Sequence, residues 1–588
     1  MGLKVRRTPT GHRDQDDDGG HHESMQSSRV VNIHRRAKPF SRVMKILQPE
    51  GKDIFVVVLF AVTVSILSLA TPIAVETLVN TVAFGVLMWP VVVISLVLMA
   101  CLGLAAAINA MQVFVIECIQ QRLFVRVVAN YSHRIPALRL EDLDRINGPE
   151  LANRFFDVLT LQKSLASLLL GGVSISVTMA VGMVVLAFYH PFLLGFDVVL
   201  MALVLLLLFG LGWGGVRTCL EESIAKYDTA AWLEEMFRCL RTVKTSIGQE
   251  FALKRSNGLA DVYIQKRKKH FRVVWRQTIF ALGLQVFAST LLLGLGGWLV
   301  INRQLTLGQL VAAELIVSVI VGSVAKLGKQ AENFYDLLAS AEKLALVTDL
   351  PLERDGGQIL PRTELGMAVR VLPTDSKPSF SSWHIAPNER VAFITHSDYG
   401  KTKVLEALSG LREMSGGRAE LDGFDIRNLS LSGLREQVIL VGREEMVEGT
   451  ILENLVMGAG DVGPELIRSA LDAVDLLETV NQLPGSLYTR LAPTGLPLCE
   501  NQLLRMMLAR AIISRPRLLL IDGILDHLNL ADFPKLIGGL LDPSAPWTLL
   551  VATHNPEVAK VFGRCIRLKK VDGVSDKEAS CNHEGAKA

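Results

Sequence analysis

The sequence predicts two fused domains: an all-α membrane domain with six transmembrane helices, and a cytoplasmic α/β domain that follows it. Half of the 588 residues are hydrophobic, which is too apolar for an ordinary soluble chain of this length and indicates membrane insertion. Six long apolar stretches recur before residue 330. After about residue 360, short apolar runs alternate with turns and amphipathic helices, a pattern typical of helices packed on a central sheet.

Each apolar stretch is long enough to span a bilayer, for which about 20 residues suffice. The first, at 54–75, contains no charged residue. The second lies within 77–116, and the remaining four are expected at 164–189, 191–216, 278–302 and about 305–325. The chain is therefore expected to lie in a lipid bilayer.

Basic residues are unevenly distributed among the predicted connections. The connection between spans two and three contains seven Lys or Arg residues and that between spans four and five contains thirteen, whereas the other three contain only Arg303. Because cytoplasmic loops accumulate Lys and Arg, we expect both basic connections and both chain termini in the cytoplasm. Apolar residues recur at helical spacing in these connections, which favours helical arms that extend the spans; the alternative is a solvated charged face without a partner.

Two acidic residues fall within the predicted spans, where a carboxylate is costly unless it faces a cavity or a partner. Glu314 lies about halfway along span six, and an inward-facing role, in packing or in a pathway through the membrane, is favoured over lipid exposure. Asp197 lies in the first turns of span four, where we expect hydration near the outer membrane surface.

The charge balance and the cysteines exclude several kinds of partner. With 61 basic and 58 acidic residues, the chain gives no reason to expect a nucleic-acid partner. Its seven cysteines contain no C-x-x-C pair, which fits reduced thiols rather than a disulfide framework or a zinc site. Residues 1–40 are polar and irregular, as expected of a disordered cytoplasmic tail. The predicted domains are therefore this tail, the six-span domain at 41–345, the α/β domain at 360–572 and a flexible tail at 573–588.

The stretch RVAFITHSDYGKTKVLEALSG, at 390–410, reads as a strand, a turn and the start of a helix. Gly400, Lys401 and Thr402 stand at the junction, as at the end of a phosphate-binding loop (P-loop) with the pattern G-x-x-x-x-G-K-[ST]. The first glycine of that pattern is replaced by Thr395, and Asp398 stands where a further glycine is common. Because glycines let the backbone approach the phosphates, the replacements predict weakened nucleotide binding.

Two further motifs follow this stretch. The strand-like PRLLLID ends at Asp522 after the helical RMMLARAII, and LLVATHNPE contains His554. In this order and spacing, the motifs resemble those of a half-transporter of the ATP-binding-cassette exporter family, of the bacterial type I kind. The resemblance implies that Gly400, Lys401 and Thr402 bind the phosphates of ATP, that Thr402 and Asp522 hold Mg²⁺, and that His554 is the switch histidine that contacts the γ-phosphate.

The membrane half carries the same resemblance, which covers residues 40–572. RIPALRLEDLDRINGPELANRFFD, at 134–157, is similar to the first intracellular loop of the family, and EMFRCLRTVKTSIGQE, at 235–250, is similar to the second. In the family these loops end in coupling helices that dock on nucleotide-binding domains, and two such domains face each other head to tail. The resemblance therefore implies a homodimer or a heterodimer with another half-transporter, and a periplasmic adaptor is a further candidate partner.

Other positions depart from the family pattern. The glutamate expected after the Walker B aspartate, which activates the attacking water, is replaced by Gly523, and glycine has no side chain to accept a proton. The signature motif L-S-G-G-Q is represented by LCENQ at 498–502. Gln502 matches its last residue, whereas Glu500 adds a negative charge close to an expected anion. The glutamine of the Q-loop is matched by Gly442.

These observations support two hypotheses of different classes. In the first, the chain is a subunit of an exporter in the bacterial inner membrane that couples ATP binding to transport, with hydrolysis weak or supplied by a partner, and Glu314 is a candidate residue of the transport pathway. In the second, it is a catalytically inactive pseudo-ATPase that acts as a membrane scaffold or regulatory subunit. Lys401, Thr402, Asp522 and His554, which match the family motifs, favour the first hypothesis, whereas Gly523 and LCENQ favour the second.

Overall fold

The computed structural model describes most of the chain between residues 39 and 568. The expected tails lie outside the described residues, except for residues 39 and 40, and so do residues 396–397 of the expected P-loop. The described ranges are 39–84, 88–144, 151, 153–373, 382–395, 398–414, 417–442, 445–457, 462–529 and 534–568.

The chain divides into two compact units, and the first is all-helical. It comprises Met1–Pro136 and Ile146–Leu350. Among the described residues, six helical stretches in this unit are long and apolar enough to cross a membrane, which confirms the six-span prediction. The helices described up to residue 350 are α1 (Pro39–Leu47), α2 (Gly51–Ser68), α3 (Ala70–Phe84), α4 (Met88–Arg134), α5 (Leu140–Leu143), α6 (Asp157–Ser167), α7 (Ser174–Tyr189), α8 (Pro191–Leu205), α9 (Gly215–Arg238), α10 (Leu240–Val243), α11 (Ser246–Ile301) and α12 (Leu307–Asp349).

Several of these helices are much longer than a bilayer requires. Helix α11 contains 56 residues, which corresponds to about 84 Å at 1.5 Å per residue, whereas the hydrocarbon core is about 30 Å thick. Its first half carries most of the basic residues of the second predicted cytoplasmic connection. Helix α12 begins with a capping box, in which Thr306 and Gln309 satisfy each other's backbone N–H groups, so its start follows from local sequence.

The core of this unit is an apolar cluster of side chains from α7, α8, α11 and α12. Fully buried members include Leu186, Leu193, Leu292 and Ile316. Two π-helical turns interrupt the regular pattern, at Leu168–Val173 and Leu206–Gly210. A π-turn changes the backbone hydrogen-bond pattern of a helix and re-aims the side chains that follow.

The two carboxylates within the spans have different surroundings. Asp197 is 5% exposed, and neither of its side-chain oxygens has a hydrogen-bond partner among the described residues. The expectation of a hydrated Asp197 is therefore wrong, because α8 turns this side chain toward its helical neighbours. Glu314, on α12, is partly buried, and its Oε2 atom is enclosed without a hydrogen-bond partner in the described part of the chain.

The second unit has the α/β architecture that the sequence predicts. It comprises Ala137–Arg145 and Pro351–Ala588, and its centre is a five-stranded parallel sheet in the order β11-β3-β10-β9-β6. An antiparallel sheet in the order β2-β1-β4-β5 and a pair β7-β8 complete the described strands. The strands are β1 (Val369–Pro373), β2 (Trp383–Ile385), β3 (Arg390–Thr395), β4 (Gly417–Leu421), β5 (Phe424–Asp425), β6 (Val438–Val441), β7 (Gly449–Thr450), β8 (Arg490–Leu491), β9 (Leu518–Asp522), β10 (Thr548–Thr553) and β11 (Arg564–Leu568).

Helices of this unit pack around the central sheet. The strands β9 and β10 are apolar almost throughout and are buried on both faces, as is usual for the middle of a parallel sheet. The helices are α13 (Asp398–Leu408), α14 (Leu431–Arg435), α15 (Ile451–Val456), α16 (Pro464–Ala473), α17 (Leu477–Gln482), α18 (Glu500–Ile513), α19 (Pro534–Leu541) and α20 (Pro556–Lys560).

A segment of the first predicted cytoplasmic loop, which contains α5, belongs to this second unit. Arg412 makes two contacts with the carboxylate of Asp144, at 2.7 and 2.9 Å, and also pairs with Glu406 of α13. The hydrogen bond to Asp144 is the main reason why the pKa of the Arg412 guanidinium lies above its ordinary value. A β-bridge between Leu138 and Leu352 holds the other end of the segment. The loop is thus joined by charge pairs to the helix that follows the expected P-loop.

Candidate functional site

The residues predicted to bind nucleotide converge at one edge of the parallel sheet. Strands β3, β9 and β10 end at Thr395, Asp522 and Thr553, respectively. In the register of the sheet, Ala552 lies opposite Asp522 and Thr553 lies opposite Ile394. Ligands of open α/β sheets bind beyond the carboxyl ends of the strands, which is where this edge lies.

Thr402 and Asp522 form a pair suited to Mg²⁺. The Thr402 Oγ1 hydroxyl donates a hydrogen bond of 2.6 Å to Asp522 Oδ2, so both oxygens are already held close together. Hydroxyl and carboxylate oxygens are the ligands that Mg²⁺ takes beside phosphates. Lys401, one residue earlier, is 5% exposed. These three residues fit a magnesium–nucleotide complex, with Lys401 supplying the positive charge for its phosphates.

The start of α13 supplies backbone N–H groups beside Lys401. Strand β3 ends at Thr395 and α13 begins at Asp398, so Gly400 lies in the first turn of the helix. The N–H groups of that turn have no partner within the helix and can bind an anion.

Gly523 occupies the position of the missing glutamate, directly after Asp522. Its φ angle is +70°, and its N–H donates a 3.0 Å hydrogen bond to the Ala552 carbonyl oxygen. A Cβ atom at this position would meet no heavy atom within 4 Å. The site therefore has room for a side chain here, but a residue other than glycine needs a left-handed backbone, which costs about 1–2 kcal/mol.

Gly442 lies beside the proposed magnesium ligands. An ideal Cβ atom at Gly442 would stand 3.4 Å from the Asp522 Cβ atom. The residue follows β6, which neighbours β9 in the sheet. A side chain at this position would therefore lie beside the pair of Thr402 and Asp522.

The segment at 498–502 forms the start of α18. The helix begins at Glu500, and the Gln502 side chain accepts a 2.8 Å hydrogen bond from the Cys499 N–H. Gln502 thus caps its own helix. The Glu500 carboxylate is stabilised by the positive end of the helix dipole, which it partly neutralises. The same end of a helix would otherwise attract a phosphate.

His554 follows β10 and pairs with a carboxylate that sequence reasoning missed. His554 Nδ1 lies 2.8 Å from Asp526 Oδ2; the side chain of His554 is 62% exposed and that of Asp526 is 2% exposed. Asp526 belongs to a 3₁₀ turn directly after Gly523. The signal available in the sequence was an acidic residue in the short segment Ile524–His527, directly after Gly523.

Glu314 belongs to the first unit and is not part of this site. The described residues contain no group of three or more His, Cys, Asp or Glu side chains arranged to hold a metal ion by themselves. Any Mg²⁺ at Thr402 and Asp522 therefore needs ligands from a nucleotide or from water, as Mg²⁺ sites in phosphate-binding proteins commonly do.

Comparison with protein families identifies both halves of the chain. Residues 54–324 match the model described as the ABC transporter transmembrane region. Residues 380–525 match the model described as ABC transporter. The two matched ranges lie in the helical unit and in the α/β unit, respectively.

Among curated proteins, the chain is similar to the ATP-dependent lipid A-core flippase of Methylococcus capsulatus, with 26% identity over 325 residues and 53% of each chain covered. It is also similar to the mycobactin import ATP-binding/permease protein IrtB of Mycolicibacterium thermoresistibile, with 23% identity over 350 residues and 58% of each chain covered. The chain thus spans only a little more than half the length of these two relatives.

The fold matches a solved structure described as a bacterial Atm1-family ABC exporter with ATP bound. The TM-score is 0.74 at 19% identity, and the match covers 89% of this chain and 94% of the other. The similarity confirms the predicted fold class, a six-helix membrane domain followed by an α/β nucleotide-binding domain.

Proposed function

Because the chain belongs to the ATP-binding-cassette (ABC) transporter family, we propose that it is one half of an exporter of the bacterial inner membrane. In this proposal, Lys401, Thr402 and Asp522 bind Mg²⁺-ATP, and the binding drives a change in the membrane helices that moves a substrate. The observation that carries the proposal is the Thr402–Asp522 hydrogen bond beside the buried Lys401. When bound, Mg²⁺ neutralises phosphate charge and orients the terminal phosphate.

We propose that nucleotide binding is weaker than in a transporter with an intact P-loop. Two features support this: Thr395 and Asp398 stand where the P-loop pattern has glycines, and Gly442 offers no side chain beside Asp522. Lys401 and the first turn of α13 remain as the main source of attraction for phosphates. Binding in the high micromolar to millimolar range would fit this loss of contacts.

We further propose that hydrolysis at this site is slow. Gly523 cannot accept a proton from the attacking water, and a positioned general base contributes about 10²–10⁴-fold to such a reaction. The alternative function, a pseudo-ATPase that acts as a scaffold or regulatory subunit, is favoured by the same residue and by the charge of Glu500 at the start of α18. The two functions differ in whether ATP binds and turns over at all.

A second half-transporter, identical or different, completes the proposed assembly. The last turn of α9 and the first turn of α11 flank α10 in the second predicted cytoplasmic connection. They expose Phe237 (79%) and Ile247 (83%), respectively. Exposed apolar side chains of this size commonly mark an interaction surface. We propose that the nucleotide-binding domain of the second subunit covers them, with both chain termini in the cytoplasm as the basic connections suggest.

The two relatives act on different cargoes by name, a lipid A core and mycobactin, and one is called an importer. They therefore do not identify a substrate for this chain. The export direction is part of the proposal. Glu314 remains a proposed residue of the transport pathway because its Oε2 atom is enclosed on a spanning helix with no hydrogen-bond partner among the described residues.

Nucleotide binding tests the proposal most simply. The full chain in lipid nanodiscs would be titrated with a fluorescent ATP analogue in Mg²⁺, and the titration repeated for Lys401→Ala and for the control Lys403→Ala, which removes the same charge two residues later. Charge-assisted hydrogen bonds contribute about 1.5–3 kcal/mol, so Lys401→Ala should weaken binding at least tenfold and Lys403→Ala by much less. Equal binding by the wild type and Lys401→Ala would reject the proposal.

A further inference from the structure

A buried carboxylate stands three residues after the position of the missing glutamate. Asp526 lies in the 3₁₀ turn that Gly523 begins, and its side chain is only 2% exposed. A buried carboxylate requires hydrogen-bond donors, because removing its charge from water is otherwise costly. The hydrogen-bond partners of Asp526 include His554, the predicted switch histidine of the nucleotide site.

Three donors converge on Asp526. The Thr553 hydroxyl donates to Oδ1, the His554 backbone N–H donates to Oδ2 at 3.2 Å, and the ring atom Nδ1 of His554 lies 2.8 Å from the same Oδ2. Both carboxylate oxygens are therefore in use and enclosed. Asp526 cannot itself contact an attacking water, so any effect on chemistry must pass through His554.

The pair fixes the orientation and the proton arrangement of the His554 ring. With Nδ1 directed at a carboxylate, the proton of the neutral imidazole lies on Nδ1, and Nε2 carries the free lone pair. The His554 side chain is 62% exposed, whereas Asp526 is enclosed, so the open end of the ring is the Nε2 end. In histidine–aspartate pairs of this kind, the carboxylate also stabilises the positive charge that forms when the ring accepts a proton.

The position of the ring matches the nucleotide site. His554 follows the last residue of β10, and β10 runs beside the strand that ends at Asp522. The Gly523 N–H is bonded to the carbonyl oxygen of Ala552, two residues before His554. His554 therefore lies at the same edge of the sheet as Asp522, one of the two proposed magnesium ligands.

We propose that Asp526 is a positioning residue that replaces the function of the missing glutamate through His554. This inference rests on the proposed function, because it requires ATP at Lys401, Thr402 and Asp522. His554 Nε2 accepts a proton from the water whose oxygen forms a bond to the γ-phosphorus. The bond from that phosphorus to the β–γ bridging oxygen breaks, ADP leaves with the bonding electron pair, and the proton on His554 returns to solvent.

An alternative is that Asp526 has only a structural role, that of a brace: its hydrogen bond with Thr553 would hold the 3₁₀ turn Ile524–His527 against β10. The two roles differ in what a substitution changes. A brace affects folding and all functions of the domain alike, whereas a positioning residue affects the turnover rate and leaves nucleotide affinity nearly unchanged.

Asp526→Asn and Thr553→Val separate these roles. Asp526→Asn keeps the size of the side chain but cannot accept from both Thr553 and His554 as before, and we expect its ATP turnover in nanodiscs to fall by about tenfold or more, with nucleotide affinity within about twofold. Thr553→Val removes one brace and leaves the His554 ring contact, so its turnover should stay within about threefold of the wild type. An equal loss of ATP turnover in Asp526→Asn and Thr553→Val would overturn the inference.

A double-mutant cycle with Gly523→Glu gives a second, independent readout. If Asp526 and His554 supply the function of the absent glutamate, adding that glutamate should make Asp526→Asn nearly silent, which is a non-additive result expected of groups with one shared role. An equal loss from Asp526→Asn in both backgrounds would indicate a brace and overturn the inference.

The failure of this inference can be distinguished from the failure of the proposed function. A wild type that binds no nucleotide through Lys401 contradicts the proposed function itself. A wild type that binds Mg²⁺-ATP but has no turnover above Asp526→Asn contradicts only the role of Asp526. A slow wild-type turnover that depends on both Asp526 and His554, with binding intact in Asp526→Asn, supports both.

Discussion

The Thr402 hydroxyl and the Asp522 carboxylate are the groups on which the proposed metal site depends. Replacing Thr402 with Val keeps the shape of the side chain but removes the oxygen that donates to Asp522 at 2.6 Å. We expect this variant to lose the Mg²⁺-dependent part of nucleotide binding. The measurement is binding of a fluorescent ATP analogue with Mg²⁺ and then with excess EDTA, which should weaken wild-type binding about tenfold.

Thr402→Val should bind equally weakly with and without EDTA, whereas the control Thr402→Ser, which keeps the hydroxyl, should respond to EDTA as the wild type does. A Thr402→Val variant that retains the full response to EDTA would show that the metal, if bound, is held elsewhere. The comparison does not depend on hydrolysis, so it remains informative if turnover is too slow to measure.

Residues of the site differ in how far the sequence could predict them. Lys401 and Thr402 were identifiable because they belong to one short pattern, and Asp522 because it ends a strand of recognisable composition. The structure places Thr402 and Asp522 in contact although 120 residues separate them. The pair of Asp526 and His554 was not identifiable, because no short pattern links two side chains 28 residues apart and the 3₁₀ turn that aims Asp526 depends on the packing of β9 and β10.

The π-turn at Leu206–Gly210 is held by a side chain of another helix. Gln277, which is fully buried on α11, donates to the Leu207 carbonyl oxygen at 3.3 Å and to the Tyr335 hydroxyl at 3.2 Å. Leaving a buried carbonyl without a hydrogen-bond donor inside a helical bundle lowers the free energy of unfolding by about 1–3 kcal/mol. We therefore expect Gln277→Ala to destabilise the membrane domain by at least this amount.

Thermal unfolding in detergent, followed by fluorescence, checks this expectation. Gln265→Ala is the matched control, since Gln265 is exposed on the same helix and its side chain donates to Asp261 one turn earlier. Its midpoint should stay within about 1 °C of the wild type, whereas that of Gln277→Ala should fall by several degrees. Equal midpoints for Gln277→Ala and the wild type would show that the Leu207 carbonyl finds another partner.

The helices themselves were predictable to different degrees along their length. The six apolar windows follow from composition, because a bilayer excludes unpaired charges. The start of α12 also follows from local sequence, through the capping box of Thr306 and Gln309. The π-turns and the buried position of Asp197 were not predictable, because both depend on which side of one helix faces another, and a uniformly apolar sequence does not determine that side.

The first predicted cytoplasmic connection and α13, the helix that follows the expected P-loop, are joined through Arg412. Its guanidinium bonds to Asp144 at 2.7 Å and pairs with Glu406 of α13. The Arg412 side chain is 12% exposed, so its removal would leave Glu406 poorly compensated. We expect Arg412→Ala to increase amide hydrogen exchange in both α5 and α13, and to weaken the dependence of transport on ATP if the loop transmits nucleotide binding.

Arg427→Ala is the control for this prediction. Arg427 is 64% exposed and pairs with Asp425 only two residues away, and exposed ion pairs contribute little to stability. Hydrogen exchange measured by mass spectrometry should therefore be unchanged in that variant. Unchanged exchange at α5 in Arg412→Ala would contradict a role for Arg412 in holding the loop.

The chain as a whole combines an exporter fold with a proposed nucleotide site that departs from the family pattern at several positions. The membrane half and the sheet retain the family architecture over most of the chain, whereas Gly442, Gly523 and LCENQ are the positions at which we propose that groups acting on nucleotide are absent. The fold tolerates substitutions because it depends on many apolar contacts, and other apolar side chains can replace each of them. Hydrolysis depends on single side chains at fixed positions, so one substitution is enough to slow it.

ATP turnover of Gly523→Glu in nanodiscs tests the central claim most directly. A Cβ atom has room at this position, and the left-handed backbone costs only about 1–2 kcal/mol, so the variant should fold. If slow hydrolysis results from the missing base, Gly523→Glu should turn over at least tenfold faster than the wild type, and the control Gly523→Gln should not. A wild type that already hydrolyses ATP as fast as Gly523→Glu would contradict the account.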